Sequence, residues 1–409
     1  MQTATAIEHP SHVAPDRVID FDVYQPMHDG LGFHESWKAL QDSGLPDVLW
    51  TPQNGGHWLV IRGKLISQVL ADYANFSSHT ILVPKETAGV AYRVIPISLD
   101  PPEHRPFRNL LNDDLSPKRI RSVEDSIREI AVDLIEAFRS KGQCNFVTEF
   151  AEQLPIRVFM KMVNLPLEDV PKLKYLVDQF TRPDGKLSYD EVTRLFLDYL
   201  EPVIEERRGK EGKDMISRML QSKIGDRYMT DAEAANLCIQ VLVGGLDTVI
   251  NFLSFVMVFL ARSPETRHIL EKSPDRIPSA INELLRRFPL ITVGREITHD
   301  MDFEGVHLKQ GEMIMLPTIL HGLDEQENAD SMSVDFDRTT IRHSTFGSGP
   351  HTCPGAFLAR TEVRIMLEEW LSRIPNFNIA PQSEVGYSGG IVAAVKPFSL
   401  AWDASTTRA

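Results

Sequence analysis

Cysteine is nearly absent from this chain. Three residues, Cys144, Cys238 and Cys353, are scattered through 409. An odd number at such distances gives no disulfide framework and suits a reducing compartment. Cys353 has no second cysteine two to four positions away, the usual partner in a structural zinc site. Positive charge is in deficit too: 43 Lys and Arg stand against 57 Asp and Glu, a net charge of −14. That balance argues against nucleic acid as the main partner. Residues 1–20 hold neither an apolar run nor a basic stretch, so no signal peptide or amino-terminal membrane anchor is expected. Internal repeats, low-complexity tracts and a convincing linker are also missing. A length of 409 residues by itself suggests two or three domains. The lack of linkers points instead to one domain over 1–409, with residues 1–35 as an extended arm. A hydrophobic content of 42% and a mean hydropathy of −0.18 describe an ordinary soluble globular chain with a large core.

What the chain does have is one cysteine in an unusual setting. Residues 346–355 read Phe-Gly-Ser-Gly-Pro-His-Thr-Cys-Pro-Gly and run straight into a helical pattern. Glycines in such a loop let the backbone approach a flat partner closely, because no Cβ stands in the way. Cys353 falls near a helix N-terminus, where free N–H groups and the dipole favour an anion. That setting is expected to lower the thiol pKa and yield the thiolate, the form that binds metal. A lone thiolate on a glycine-framed loop suits one axial bond to a haem iron better than zinc. The bland alternative is a buried free cysteine in a turn.

The second outstanding stretch is long and apolar. Thr230-Asp231-Ala232-Glu233 is a capping box, and the helix it starts is expected to reach Arg262, roughly 32 residues or ~48 Å. Over residues 241–260 the polar residues are Asp247, Thr248, Asn251 and Ser254. That run is long enough to cross a bilayer. An acid at its middle is expensive in lipid, however, and a helix apolar all round otherwise forms the core of a large protein. A core helix, with no membrane, is therefore expected. Gly244-Gly245 would let this helix pass close to a flat group. The Thr248 hydroxyl is expected to compete for a backbone carbonyl and open the helix locally.

The remaining chain reads as mainly α with small β-sheets, an α+β arrangement. Helices are expected at 33–43, 64–73, 122–140, 145–163, 167–180, 188–208, 214–221, 278–288 and 318–322, with strands at 48–51 and 57–61. Another helix opens after Asp100-Pro101-Pro102. Ser263 is expected to cap the helix beginning at Pro264. Segments 291–298 and 303–317 read as short hairpins, and the last 35 residues as glycine-rich β-like chain. Glu283 and Arg286, three apart, share one helix face. Residues 79–99 form an apolar stretch without periodicity, and a loop of that length is often functional. Its Tyr92 is either a satisfied core tyrosine or one of the few polar groups of an apolar pocket. Lys118, Arg119 and Arg121 make one dense basic cluster, which a solvated helix start explains adequately.

Phe346-x-x-Gly349-x-His351-x-Cys353-x-Gly355 resembles the haem-binding signature of the cytochrome P-450 monooxygenases. The usual pattern has Arg where this chain has His351, and His there is a variant of the branch that includes the bacterial camphor hydroxylase. Gly244-Gly245-Leu246-Asp247-Thr248 is similar to the family's oxygen-binding stretch, and Glu283-x-x-Arg286 with Arg338 to its structural triad. The resemblance covers essentially the whole chain. It implies the P-450 fold, with haem b (iron protoporphyrin IX) between the long central helix and the cysteine loop, and Cys353 as axial ligand of the iron. Phe346, Gly349 and Gly355 would frame the sulfur, and Gly244 would let the helix near the porphyrin. Arg108, His104, Arg295 and His351 match the family's propionate-binding positions. Asp247 and Thr248 match the pair that guides protons to bound O2.

In the camphor enzyme a tyrosine matching Tyr92 meets the substrate ketone. Gln240, Val243, Leu290, Ile291, Ile391 and Val392 match the remaining pocket positions. Two departures stand out: Gln240 replaces a leucine, and Val293 an acid near a propionate. The resemblance further implies a mobile lid over 171–200 and hydroxylation of a small apolar molecule such as camphor. Electrons would come from a two-iron two-sulfur ferredoxin and its NADH-dependent reductase. Lys118, Arg119 and Arg121 would join Arg105 and Arg342 in a positive face for that acidic partner. A cytoplasmic monomer is expected. The alternatives are a haem-based sensor without turnover, which the Asp247–Thr248 pair argues against, and a haem-free helical interaction protein.

Overall fold

The computed structural model describes residues 8–85, 95–181 and 185–408. Among the described residues it has fourteen α-helices and fourteen short strands, so the mainly helical expectation holds. The central helix runs Asp231–Arg262, 32 residues. Its start is set as the local sequence requires: the Thr230 side chain accepts from the Glu233 N–H, and Glu233 accepts from the Thr230 N–H. Its apolar window has a mean hydropathy of 2.0 and is 72% buried inside the protein, as a core helix should be. Helices Gln153–Val163, Val170–Thr181 and Tyr189–Arg207 pack along it.

A five-stranded sheet stands beside this helical layer. Its order is Val48–Thr51, His57–Val60, Met313–Pro317, Thr292–Ile297 and Phe76–Ser77. The expected hairpin of the first two strands is present, with Trp50 opposite Trp58. The third strand then pairs parallel with the second, Ile314 opposite Trp58, which local pattern does not reveal. Side chains alternate across a strand, so Val293 and Arg295 share a face, and that face borders the central cavity. The arm at the start of the chain lies against the sheet edge: Val18 bridges to Trp50, and Val13 and Val23 are buried.

Several boundaries and one cap differ from expectation, most boundaries by one or two residues. The helix expected over 145–163 is divided: Gln143–Asn145 is a strand, Val147–Ala151 a π-turn, and the α-helix begins at Gln153. Cys144 is buried opposite Leu400, so this strand, which meets the expected helix only at Asn145, is set by pairing with the distant strand Ser399–Ala401. Ser263 precedes the helix Pro264–Lys272 but makes no side-chain cap, and Pro264 alone marks the start. The helix expected over 278–288 is Ile277–Arg287.

That last helix carries a fully buried ionic brace. Arg286 uses all five guanidinium N–H donors: two on Glu283, and three on the carbonyls of Gly322, Ser331 and Ser333. Arg338 donates to both Glu283 oxygens at 3.1 Å, and the Asp335 N–H adds a bond at 3.0 Å. Glu283 and Arg286 are wholly buried, so neither charge can turn to water for compensation. The brace ties this helix to the irregular chain that leads into the cysteine loop, and the Thr345 hydroxyl adds a bond to the Leu285 carbonyl. Arg286→Ala, which takes two bonds from the buried Glu283, leaving it Arg338 and the Asp335 N–H, and orphans the carbonyls of Gly322, Ser331 and Ser333, is expected to lower unfolding free energy by about 3–5 kcal/mol. Denaturant unfolding of the holoprotein measures this, and a loss below about 1 kcal/mol would show the brace to be dispensable.

Candidate active site

The cysteine loop is shaped by its own backbone. The Cys353 N–H donates to the Phe346 carbonyl at 2.7 Å, closing the loop on itself. Gly349 adopts φ +70°, and a Cβ there would lie 2.6 Å from the Ala71 backbone. Only glycine permits that conformation and that approach. The Arg360 guanidinium sits 4.5 Å over the Phe346 ring and fixes it from the following helix, Ala356–Arg373. The Gly355 and Ala356 N–H groups reach the Cys353 sulfur, as a helix N-terminus near the thiol suggested. The direction of its pKa is nevertheless a correction. Burial raises it, and that outweighs the opposing N–H groups, Arg108 and Arg360. The protein alone therefore keeps a thiol, and a bound metal ion is what would complete ionisation.

The central helix forms the facing wall. Gly244, Gly245 and Thr248 border the same cavity as Cys353, which has a volume of about 310 Å³. A Cβ on Gly245 would meet nothing within 4 Å, and one on Gly244 only the Gln240 Nε2. The Thr248 hydroxyl donates to the Gly244 carbonyl at 2.8 Å. The helix stays unbroken through this point, contrary to the expected opening. A carbonyl has two lone pairs and can accept the hydroxyl without giving up the helix. Asp247 is buried behind this face and accepts from Asn251 Nδ2 at 3.1 Å, while Asn251 Oδ1 accepts from the Val395 N–H.

One end of the cavity is polar. His104 and His351 lie with ring centroids 4.4 Å apart, and the Nε2 of each is buried without a hydrogen-bond partner. The Asp100 carboxylate is the nearest anion, 3.9 Å from His351 Nε2. Burial, reinforced by neighbouring cations, lowers His351 to about 3 and His104 to about 4, so both rings are neutral near pH 7. Arg295 is buried and bonds the Gly294 carbonyl, and burial lowers its pKa to about 10. Arg108 binds Asn112 Oδ1 and the Thr352 carbonyl beside the cysteine.

The expected pocket residues divide. Gln240, Leu290 and Ile291 border the cavity. Val243 does not, and Val241 takes its place. Ile391 packs with Ile81, Leu82, Ile97 and Val293, and Val392 pairs with Ile291, one layer out from the cavity. Tyr92 lies outside the described residues. Glu362 went unnoticed at the sequence level. It borders the cavity on the helix after the loop, 1% exposed, and makes no ion pair among the described residues. Burial raises its pKa to about 8. The signal was available: Ala359, Val363 and Met366 form an apolar stripe, and Glu362 sits within it at helical spacing.

These features suit a haem protein, and comparison with known proteins identifies its family. A model of the cytochrome P450 family matches residues 151–277 and 277–386. A probable cytochrome P450 127A1 of Sinorhizobium fredii is 31% identical over 403 residues, 96% of each chain. Mycinamicin IV hydroxylase/epoxidase of Micromonospora griseorubida is 30% identical over 90% of this chain and 95% of its own. The crystal structure of CYP101J2 superposes with a TM-score of 0.92 at 52% identity, covering 97% of this chain and all of that one. That of CYP101C1 superposes at 0.89 with 37% identity over 97% of this chain and 100% of its own. The chain belongs to the cytochrome P450 monooxygenase family, whose cofactor is haem b.

The residues present fit that group. The orphaned Nε2 atoms of His104 and His351, with buried Arg295, offer donors to carboxylates at one end. The glycine face and the sulfur occupy opposite walls of an otherwise largely apolar gap.

Glu362 gives a pH signature. Its folded pKa, about 8, lies above the ordinary 4.5, so the folded state holds the proton more tightly. Stability from this group is present in acid and is lost as pH rises through the window between those values. From about pH 5 to 8 the thermal midpoint of the holoprotein should fall, by several degrees, relative to Glu362→Gln, which has no proton to release. Parallel calorimetric curves for the two proteins would refute this.

Proposed function

We propose that this protein hydroxylates an unactivated C–H bond of a small apolar terpenoid such as camphor. It would use O2 and two electrons from a two-iron two-sulfur ferredoxin with its NADH-dependent reductase. The observation that carries the reading is a single apolar cavity with the Cys353 sulfur on one wall and the Gly244-Gly245-Thr248 face on the other. Bound haem b supplies the dioxygen-activating redox chemistry. The chain's own residues do the rest. Cys353 holds the iron from the loop, and Phe346, Gly349 and Gly355 keep its sulfur in place. His104, Arg108, Arg295 and His351 hold the propionates, while Gly244 leaves the helix wall flat. Thr248, whose hydroxyl bonds back to Gly244, presents its oxygen lone pairs to the cavity. Asp247, anchored by Asn251, is the carboxylate one residue away and relays protons to it. Gln240, Leu290 and Ile291 shape the substrate side, with Val392 paired to Ile291 one layer out, and Tyr92 is the further candidate there.

We read the chain as one cytochrome P450 domain that works as a cytoplasmic monomer. Burial of the central helix and the net charge of −14 support this. Ferredoxin would dock on the cysteine side. There the helix Pro117–Arg121 packs against the helix after the loop, and Arg121 lies 5.5 Å over Phe357. Arg105 and Lys118 are exposed, and Arg342, beside Glu327, is 62% exposed. The name of the mycinamicin IV hydroxylase/epoxidase relative supports turnover over a sensing role.

Incubation with camphor, a ferredoxin, its reductase and NADH should yield hydroxylated camphor. If camphor and related terpenoids all fail while haem reduction proceeds, the substrate class is wrong. Asp247→Asn is expected to slow product formation about 10²-fold, with the substrate-induced spectral shift retained. Unchanged turnover would remove Asp247 from the proton path.

A further inference from the structure

Gln240 is the polar side chain that the apolar part of the cavity does not explain. It stands one turn before Gly244 and two before Thr248 on the central helix, and this spacing puts all three on the cavity face. Gln240 is half-buried, and no hydrogen bond to its carboxamide occurs among the described residues. A Cβ on Gly244 would sit 3.3 Å from Nε2, a tight contact, so the missing side chain at 244 is what gives the amide its room. Phe159, Met162, Val241 and Leu290 are among the apolar side chains that line the same cavity.

A primary amide carries two N–H donors, and these lose water when a dry ligand fills the cavity. A ligand that accepts a hydrogen bond restores one of them, and a pure hydrocarbon leaves both unpaired. Sites with this property discriminate strongly for the polar atom. The Nε2 end lies against Gly244, itself on the cavity wall, so the donor end is the one presented.

We propose that the Gln240 carboxamide is the specificity-determining donor of this pocket, recognising a ketone or ether oxygen on an otherwise apolar, rigid ligand. The inference rests on the reading of this cavity as the substrate site and adds to it the polar group that the substrate must carry. It needs no contribution from Tyr92. An oxygen anchored at Gln240, ~6 Å along the helix from Gly244, also sets which C–H bond of a rigid ligand turns toward the wall that holds Cys353. Gln240 thereby becomes a determinant of regiochemistry.

The test is spectral titration of the holoprotein with two matched probes, camphor and bornane, the same bicyclic skeleton without the ketone. The wild type should bind camphor about tenfold more tightly than bornane. In Gln240→Leu the two dissociation constants should converge to within about twofold, mainly through loss of camphor affinity. Gln240→Glu, whose ionised carboxylate only accepts, should lose the camphor preference as well. An unchanged camphor-to-bornane ratio in both variants would overturn the inference and leave the terpenoid reading standing. Failure of the wild type to bind either probe or any terpenoid of that size would overturn both.

Discussion

The structure is built around a sulfur held where charge is disfavoured. Cys353 faces an apolar cavity, and its burial raises the thiol pKa. The Gly355 and Ala356 N–H groups, Arg108 and Arg360 work against that burial without overcoming it. Coordination to a cationic iron would close the gap, which would make metal binding and thiolate formation one event. Neither would occur with a mobile loop. The Cys353 to Phe346 hydrogen bond and the seat of Gly349 on Ala71 hold the loop in place. Behind it, the Glu283–Arg286–Arg338 brace holds the chain segment that feeds it. An exposed ion pair would add little there, whereas a fully buried and fully hydrogen-bonded one fixes position.

The polar groups around the cavity are few. His104 and His351 lie together with their Nε2 atoms unpaired among the described residues, near the buried Arg295. Asp247 stays behind the helix wall, and Glu362 is buried at the edge of the gap. Between these points the lining is mostly apolar, which excludes water and strengthens every remaining electrostatic contact. The cofactor carries the difficult chemistry, and the chain determines which bond meets it and how protons arrive.

Much of this was legible in the residues. The cysteine loop, the Thr230 capping box and the Glu283–Arg286 pair are short-range patterns, and each reappears where the pattern placed it. Features decided by distant chain were not legible. The parallel pairing of Met313–Pro317 with His57–Val60 joins segments some 250 residues apart. The strand Gln143–Asn145, just ahead of the expected helix, exists because Ser399–Ala401 pairs with it. The thiol pKa was misjudged for the same reason: a helix N-terminus is visible locally, but the depth of burial is not. His104 and His351 illustrate the intermediate case. The sequence motifs named both, and the structure adds that their free Nε2 atoms lie together and unsatisfied.

The most direct measurement is the visible spectrum of the reduced, carbon-monoxide-bound holoprotein, for the wild type and for Cys353→Ser. Thiolate ligation predicts the long-wavelength Soret band of a haem-thiolate protein in the wild type and its disappearance in the variant, even where haem is retained. The same band in both proteins would mean that the sulfur of Cys353 is not bonded to iron.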